Sequence, residues 1–106
     1  MPPDESMYPP EWLRIAGKDL ERASRSLRDD DPELAGFCLQ QAVEKFLKAF
    51  LLSRGWKLQR IHNLEVLLDA ATRSAPDLED FRAVCQVITL YYMAERYPSS
   101  IKAGLT

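Results

Sequence analysis

The chain has 106 residues, with fourteen Lys and Arg against sixteen Asp and Glu, one histidine, two cysteines and 46% apolar residues. That is the size of one domain with one core. A net charge of −2 excludes a global positive field that would collect nucleic acid without regard to sequence. No apolar run approaches the ~18 residues of a membrane-spanning helix.

The charge is unevenly spread. Between Glu44 and His62 lie Lys45, Lys48, Arg54, Lys57 and Arg60, with Glu44 the only acid. Two readings of this cluster stand side by side: a local anion site, or cations that complement the negative end of a helix dipole. Pro2, Pro3, Asp4 and Glu5 stand where a secretory leader would carry a basic and then an apolar stretch. Cys38 and Cys85 fall in apolar helical patterns, so reduced core thiols in a cytoplasmic protein are expected, with a single disulfide as the alternative. Their spacing matches no zinc motif, and neither a metal nor another cofactor is expected.

Residues 1–9 hold three of the seven prolines and read as a flexible lead-in to a domain over 10–106. A first helix is predicted from about Pro10 to Arg28, with Trp12, Ala16, Leu20, Ala23 and Leu27 as its inner stripe. Asp31, Pro32 and Glu33 form an N-cap, an N1 proline and a first-turn acid. They start a second helix that runs to Gly55, a residue suited to the left-handed turn after a helix. Leu39, Ala42, Val43, Phe46, Leu47 and Phe50 form its apolar stripe. Gln41, Glu44, Lys45 and Lys48, at i, i+3, i+4 and i+7, form an opposing polar stripe. As a solvated face that stripe offers a Glu44–Lys48 pair worth ~0.2–0.5 kcal/mol.

After a loop over 55–62, a third helix starts near His62 or Asn63, with Leu64, Leu67, Leu68 and Ala71 inward. A fourth starts at Pro76 or Asp77, with Phe81, Val84, Cys85, Ile88 and Tyr92 inward, and stops before Pro98. A short turn over Ser99–Ala103 is an optional fifth helix. No alternating β-branched run or Asn-Gly turn occurs. Short loops make neighbouring helices antiparallel, so the predicted fold is all-α: an up-and-down antiparallel bundle of four helices with an optional short fifth.

His62 is a candidate general base or phosphate ligand, or else a structural residue at a helix start. Tyr92 and Arg96 are one turn apart, so ring and guanidinium can stack. Arg96 at a helix end either binds a phosphate or pairs with a carboxylate. Generic enzyme motifs are absent: there is no glycine-rich phosphate loop and no nucleophile elbow.

The run Gln40-Gln41-Ala42-Val43-Glu44-Lys45-Phe46-Leu47-Lys48-Ala49 resembles the Q-A-x-E-K-x-x-K-A signature of the HEPN family. His62-Asn63-Leu64 is similar to its His-x-Leu, and Arg96-Tyr97-Pro98 to its R-Y-P. Trp12 to Leu20 is similar to its first helix, so the likeness spans roughly residues 10–100. The resemblance implies a four- or five-helix bundle, a homodimer, and a place beside a small nucleotidyltransferase in a toxin–antitoxin-type pair. Some members are metal-independent ribonucleases carrying Arg, four to six residues, then His; others are thought to bind nucleotides. This chain lacks that spacing. Arg54 and His62 are separated by seven residues, Arg60 and His62 by one, and no histidine follows Arg96.

The leading expectation is therefore a non-catalytic nucleotide- or RNA-interacting module. Lys45, Lys48, His62 and Arg96 would contact phosphate, Tyr92 or Tyr97 would stack on a base, and Gln41 and Glu44 would orient these groups. One alternative is a divergent metal-independent ribonuclease with His62 as base and Arg96 or Arg60 stabilising the phosphorane. Another is a purely structural dimeric adaptor.

Overall fold

The computed structural model describes residues 7–96, with the side chains of Glu95 and Arg96 outside the description. Four α-helices account for most of it: α1 (Pro9–Arg28), α2 (Pro32–Ser53), α3 (Leu64–Thr72) and α4 (Arg82–Arg96). A 3-10 turn, Pro76–Phe81, leads into α4, and no strand occurs among the described residues. The all-α bundle expected from the periodicity is the fold observed. The proposed last turn over Ser99–Ala103 lies outside the described residues.

The chain's local chemistry sets the helix ends. Asp31 caps α2 by accepting from the Leu34 amide at 3.1 Å, and Asn63 caps α3 by accepting from the amides of Glu65 and Val66. Each cap satisfies donors that the first turn leaves without an intrahelical partner. Helix α1 closes with paired bonds from Asp31 N to Ser26 O and Asp30 N to Leu27 O, and Asp30 is left-handed at φ 60. Helix α2 closes the same way, from Trp56 N to Leu51 O and Gly55 N to Leu52 O, with Gly55 at φ 87. Glycine is at home in that conformation, and aspartate is among the few other residues that tolerate it.

Helix α2 is the shared element. Among the described elements α1 packs on α2 alone, while α3 and α4 pack on α2 and on each other. Counted at ~100° per residue, α2 turns Cys38, Ala42, Lys45 and Ala49 toward α1. It turns Leu39, Val43, Leu47 and Leu51 the opposite way. Small residues dominate the α1 side: Ala16 and Ala23 of α1, with Ala42 and Ala49 of α2, are all buried. The other side carries the main apolar core, with Leu47, Leu51, Leu64, Leu67, Leu68, Ala71, Cys85 and Ile88 at its centre.

Three sequence expectations need correction. The inner stripe of α1 is Trp12, Ala16, Asp19, Ala23 and Ser26, whereas Leu20 and Leu27 are exposed. The stripe is turned because Asp19 and Ser26 are satisfied where they lie. Asp19 takes Arg22 and Lys45, and Ser26 Oγ donates to Arg22 O. In the fourth segment, residues 76–81 form a 3-10 turn. Phe81 and Val84 face outward, because α4 begins only at Arg82 and turns Cys85 and Ile88 to the core. Phe46, predicted to face inward, is partly exposed on the flank of α2. Both cysteines are free thiols in the interior, with no disulfide between them.

Candidate functional site

The polar stripe of α2 is not a solvated face. Within it Glu44 is 3% exposed and Lys48 1%, Gln41 and Lys45 are half-buried, and the neighbouring Gln40 is 4% exposed. The stripe lies in a seam covered by α1, by the end of the loop that carries His62, and by Tyr92 of α4. Lys48 Nζ donates to Glu44 Oε2 at 3.1 Å and sits 5.3 Å from the centroid of the Trp12 ring. A buried ion pair survives only where each charge keeps its partners, and here an aromatic face supplies one of them.

The same Glu44 Oε2 accepts from His62 Nδ1 at 2.9 Å. A carboxylate only accepts, so Nδ1 must carry a proton. The other ring nitrogen, Nε2, is left as the atom that can take or give one. The His62 side chain is 61% exposed, so half the pair is open to solvent while the carboxylate is not. Gln40 Nε2 donates to the backbone carbonyl of His62 at 3.3 Å and ties the loop down beside α2.

Gln40, Gln41, Glu44, His62 and Tyr92 line a depression of about 210 Å³. Tyr92 is held there by stacking on Phe37, with ring centroids 6.0 Å apart and planes 21° from parallel. Two oxygens of these residues, Gln40 Oε1 and Glu44 Oε1, are buried and accept no hydrogen bond.

Of the residues singled out in the sequence, the fold gathers Gln41, Glu44, His62 and Tyr92. It draws the two lysines away from the role expected of them. Lys48 is enclosed against Glu44 and Trp12, and Lys45 pairs with Asp19 of α1, so neither lines the depression. Both cations are spent inside the fold because the stripe is covered. The backbone of Arg96 ends α4, but its side chain and the whole of Tyr97 lie outside the described residues. Gln40 is the residue missed as a site group. It stands beside the predicted stripe, and its role depends on a carbonyl 22 residues away. Among the described residues no group of three or more His, Cys, Asp or Glu is placed to hold a metal ion.

Against known protein families, the HEPN domain model matches residues 10–103. The chain belongs to the HEPN family. No curated protein matches it, and no solved structure does. HEPN membership supports a module that works on nucleotides or RNA. The α2 run that resembles the family's signature and the His-Asn-Leu step into α3 both lie inside the matched residues, and their side chains meet at Glu44 and His62. No helix of the described residues is long and apolar enough to cross a membrane.

Proposed function

We propose that this HEPN domain is a non-catalytic, cytoplasmic module that binds a nucleotide or an exposed RNA base and acts beside a small nucleotidyltransferase in a toxin–antitoxin-type pair. The observation that carries the ligand part is the convergence of Gln40, Gln41, Glu44, His62 and Tyr92 on one depression. It offers hydrogen-bonding groups beside an aromatic wall, which is the chemistry that recognises an unstacked base. With Lys45 and Lys48 committed internally, recognition falls on the base rather than the phosphate. Isothermal titration of the full chain with nucleoside monophosphates tests this. Saturable binding lost in Tyr92→Ala supports it, and silence with all four common bases removes it.

The partnership and the homodimer rest on the family resemblance. One surface fits a second copy: Gly36, Leu39, Ala83, Val84, Val87, Ile88 and Tyr91 line a groove of about 400 Å³ that is almost wholly apolar. Val84, Val87 and Tyr91 are each more than half exposed there. Contiguous apolar surface of this kind is what isologous interfaces cover.

A second reading is favoured by one observation. The Glu44–His62 pair has the form of an oriented general base, with a buried carboxylate fixing the tautomer and Nε2 left over. A ribonuclease would use Nε2 on a 2′-hydroxyl. RNA cleavage that survives in the wild type and vanishes in His62→Ala would establish it. Cleavage unaffected by His62→Ala would exclude it.

A further inference from the structure

We infer that the outward face of α1 is a docking surface for an acidic amphipathic helix of another protein. The apolar residues of that helix seat on Leu13, Leu20 and Leu27, and its carboxylates meet Arg14, Lys18, Arg25 and Arg28. The surface is separate from the depression at Glu44 and His62, and the inference does not rest on the base-binding reading.

Helix α1 is the edge of the bundle. Among the described elements it packs on α2 alone, through Trp12, Ala16, Asp19, Ala23 and Ser26. Beside that buried row, about 100° round the helix, run Leu13, Gly17, Leu20, Ser24 and Leu27. Their alternating steps of four and three residues are the heptad seam of a coiled coil. The fold leaves that seam unpartnered, with Leu13, Leu20 and Leu27 exposed by 48, 43 and 65%. At Gly17 the seam is open, since nothing stands within 4 Å of where a side chain would begin. A hollow of about 390 Å³ lies there, lined by Gly17, Leu20, Glu21, Ser24, Arg25 and Arg28. An apolar side chain from a facing helix has a hole to enter.

Charge selects the occupant. The next row round α1 repeats the spacing with Arg14, Lys18, Glu21, Arg25 and Arg28, all exposed, four cations against one acid. None of the four cations has an ion-pair partner among the described residues, whereas Arg22, on the flank away from the leucines, is paired with Asp19. A helix with glutamates beside its own apolar seam completes both rows at once. A second copy of this chain does not, because it brings the same cationic row against the first. A membrane surface asks for a broad apolar face with aromatic anchors, and this seam is narrow and holds no aromatic residue. Single-stranded RNA asks for rings on which bases stack, and neither row supplies one.

The test titrates the full chain with two synthetic helical peptides of about three heptads, followed by calorimetry and by amide chemical shifts. Both carry leucine at a and d; one carries glutamate at e and g, the other lysine. The glutamate peptide is expected to bind at least about tenfold tighter than the lysine peptide and to move the amides of residues 13–28. Arg25→Glu/Arg28→Glu, two exposed changes, should invert that preference. Gly17→Leu should abolish binding with the fold intact, because the space at Gly17 is open. Equal binding of the two peptides, no binding of the glutamate peptide, or shifts confined to other helices would overturn the inference. Anionic vesicles or single-stranded RNA moving the same amides where the glutamate peptide does not would also overturn it. So would a fall in mass by light scattering on Leu20→Ser, which would give the face to a second copy.

Discussion

Lys48→Met separates the buried site from the exposed stripe that spacing suggests. The substitution keeps the length of the aliphatic stem and deletes the charge. Glu44 would then retain His62 Nδ1 on one oxygen and nothing on the other. An exposed i, i+4 pair is worth ~0.2–0.5 kcal/mol. Breaking a buried pair by removing one partner costs ~3–5 kcal/mol, and Lys48 and Glu44 are 1% and 3% exposed. The two cases differ about tenfold, and a domain of this size has only ~5–15 kcal/mol in all. With a urea dependence of ~2 kcal/mol per M, a loss of ~4 kcal/mol moves the midpoint down by ~2 M. The double variant Glu44→Leu/Lys48→Met removes both charges and should recover most of that loss, since apolar replacements of buried pairs are often neutral or better. A single-variant shift below ~0.5 M would refute the buried-pair account, as would a double variant no more stable than the single.

Three further outcomes are expected. Arg82 donates to Glu79, Asp69 and Glu65, tying the start of α4 to α3, and its hydrogen bond holds the Glu79 carboxyl below the usual range. That contribution is present above the unfolded carboxyl value of ~4.3 and is lost as pH falls through the lower folded value. Relative to the intrinsic exchange rate, the protection of amides around residues 76–82 should therefore fall in acid before that of the core, and Arg82→Ala should flatten that pH dependence. Burial, aided by Asp19, raises the Cys38 thiol, and burial likewise raises that of Cys85. Both should resist a thiol reagent at pH 8 in the native state and react fully in 6 M guanidinium; fast labelling of either native thiol would contradict the packing. Val87→Glu on the apolar groove should convert a dimer to a monomer in light scattering without lowering helicity, and an unchanged mass would place any dimer elsewhere.

The ends of the helices were legible in the sequence because their chemistry is local. Asp31, Asn63 and Gly55 act within five residues of themselves, and each does in the fold what its type and place suggest. Helix rotation was less legible. On α1 the larger leucines drew the stripe through Leu20 and Leu27, one position beyond Asp19 and Ser26. Whether an aspartate can be buried depends on a partner 26 residues away, Lys45, which no window of periodicity contains. The same limit governs α2. Its polar residues read as a surface because nothing in the spacing says that α1, the His62 loop and α4 close over them. The family's signature pointed at Glu44, Lys48 and His62, but their shared oxygen is a tertiary fact.

That shared oxygen joins stability to recognition. Glu44 Oε2 holds Lys48 in the interior and His62 at the opening, and Oε1 is left for neither. A change at Lys48, which no ligand in the depression would touch, should therefore alter binding as well as unfolding. With the ammonium gone, His62 Nδ1 becomes the carboxylate's only donor. The group is then freer to turn, and His62 at the opening loses the fixed orientation that Glu44 gives it. Lys48→Met, assayed below its midpoint where it is still folded, should weaken the binding of nucleoside monophosphates. Gln41→Ala removes a lining residue that holds neither charge, and should weaken binding while leaving the unfolding midpoint nearly unchanged. If Lys48→Met instead kept full affinity at reduced stability, the buried pair would be support alone, and the depression would owe it nothing.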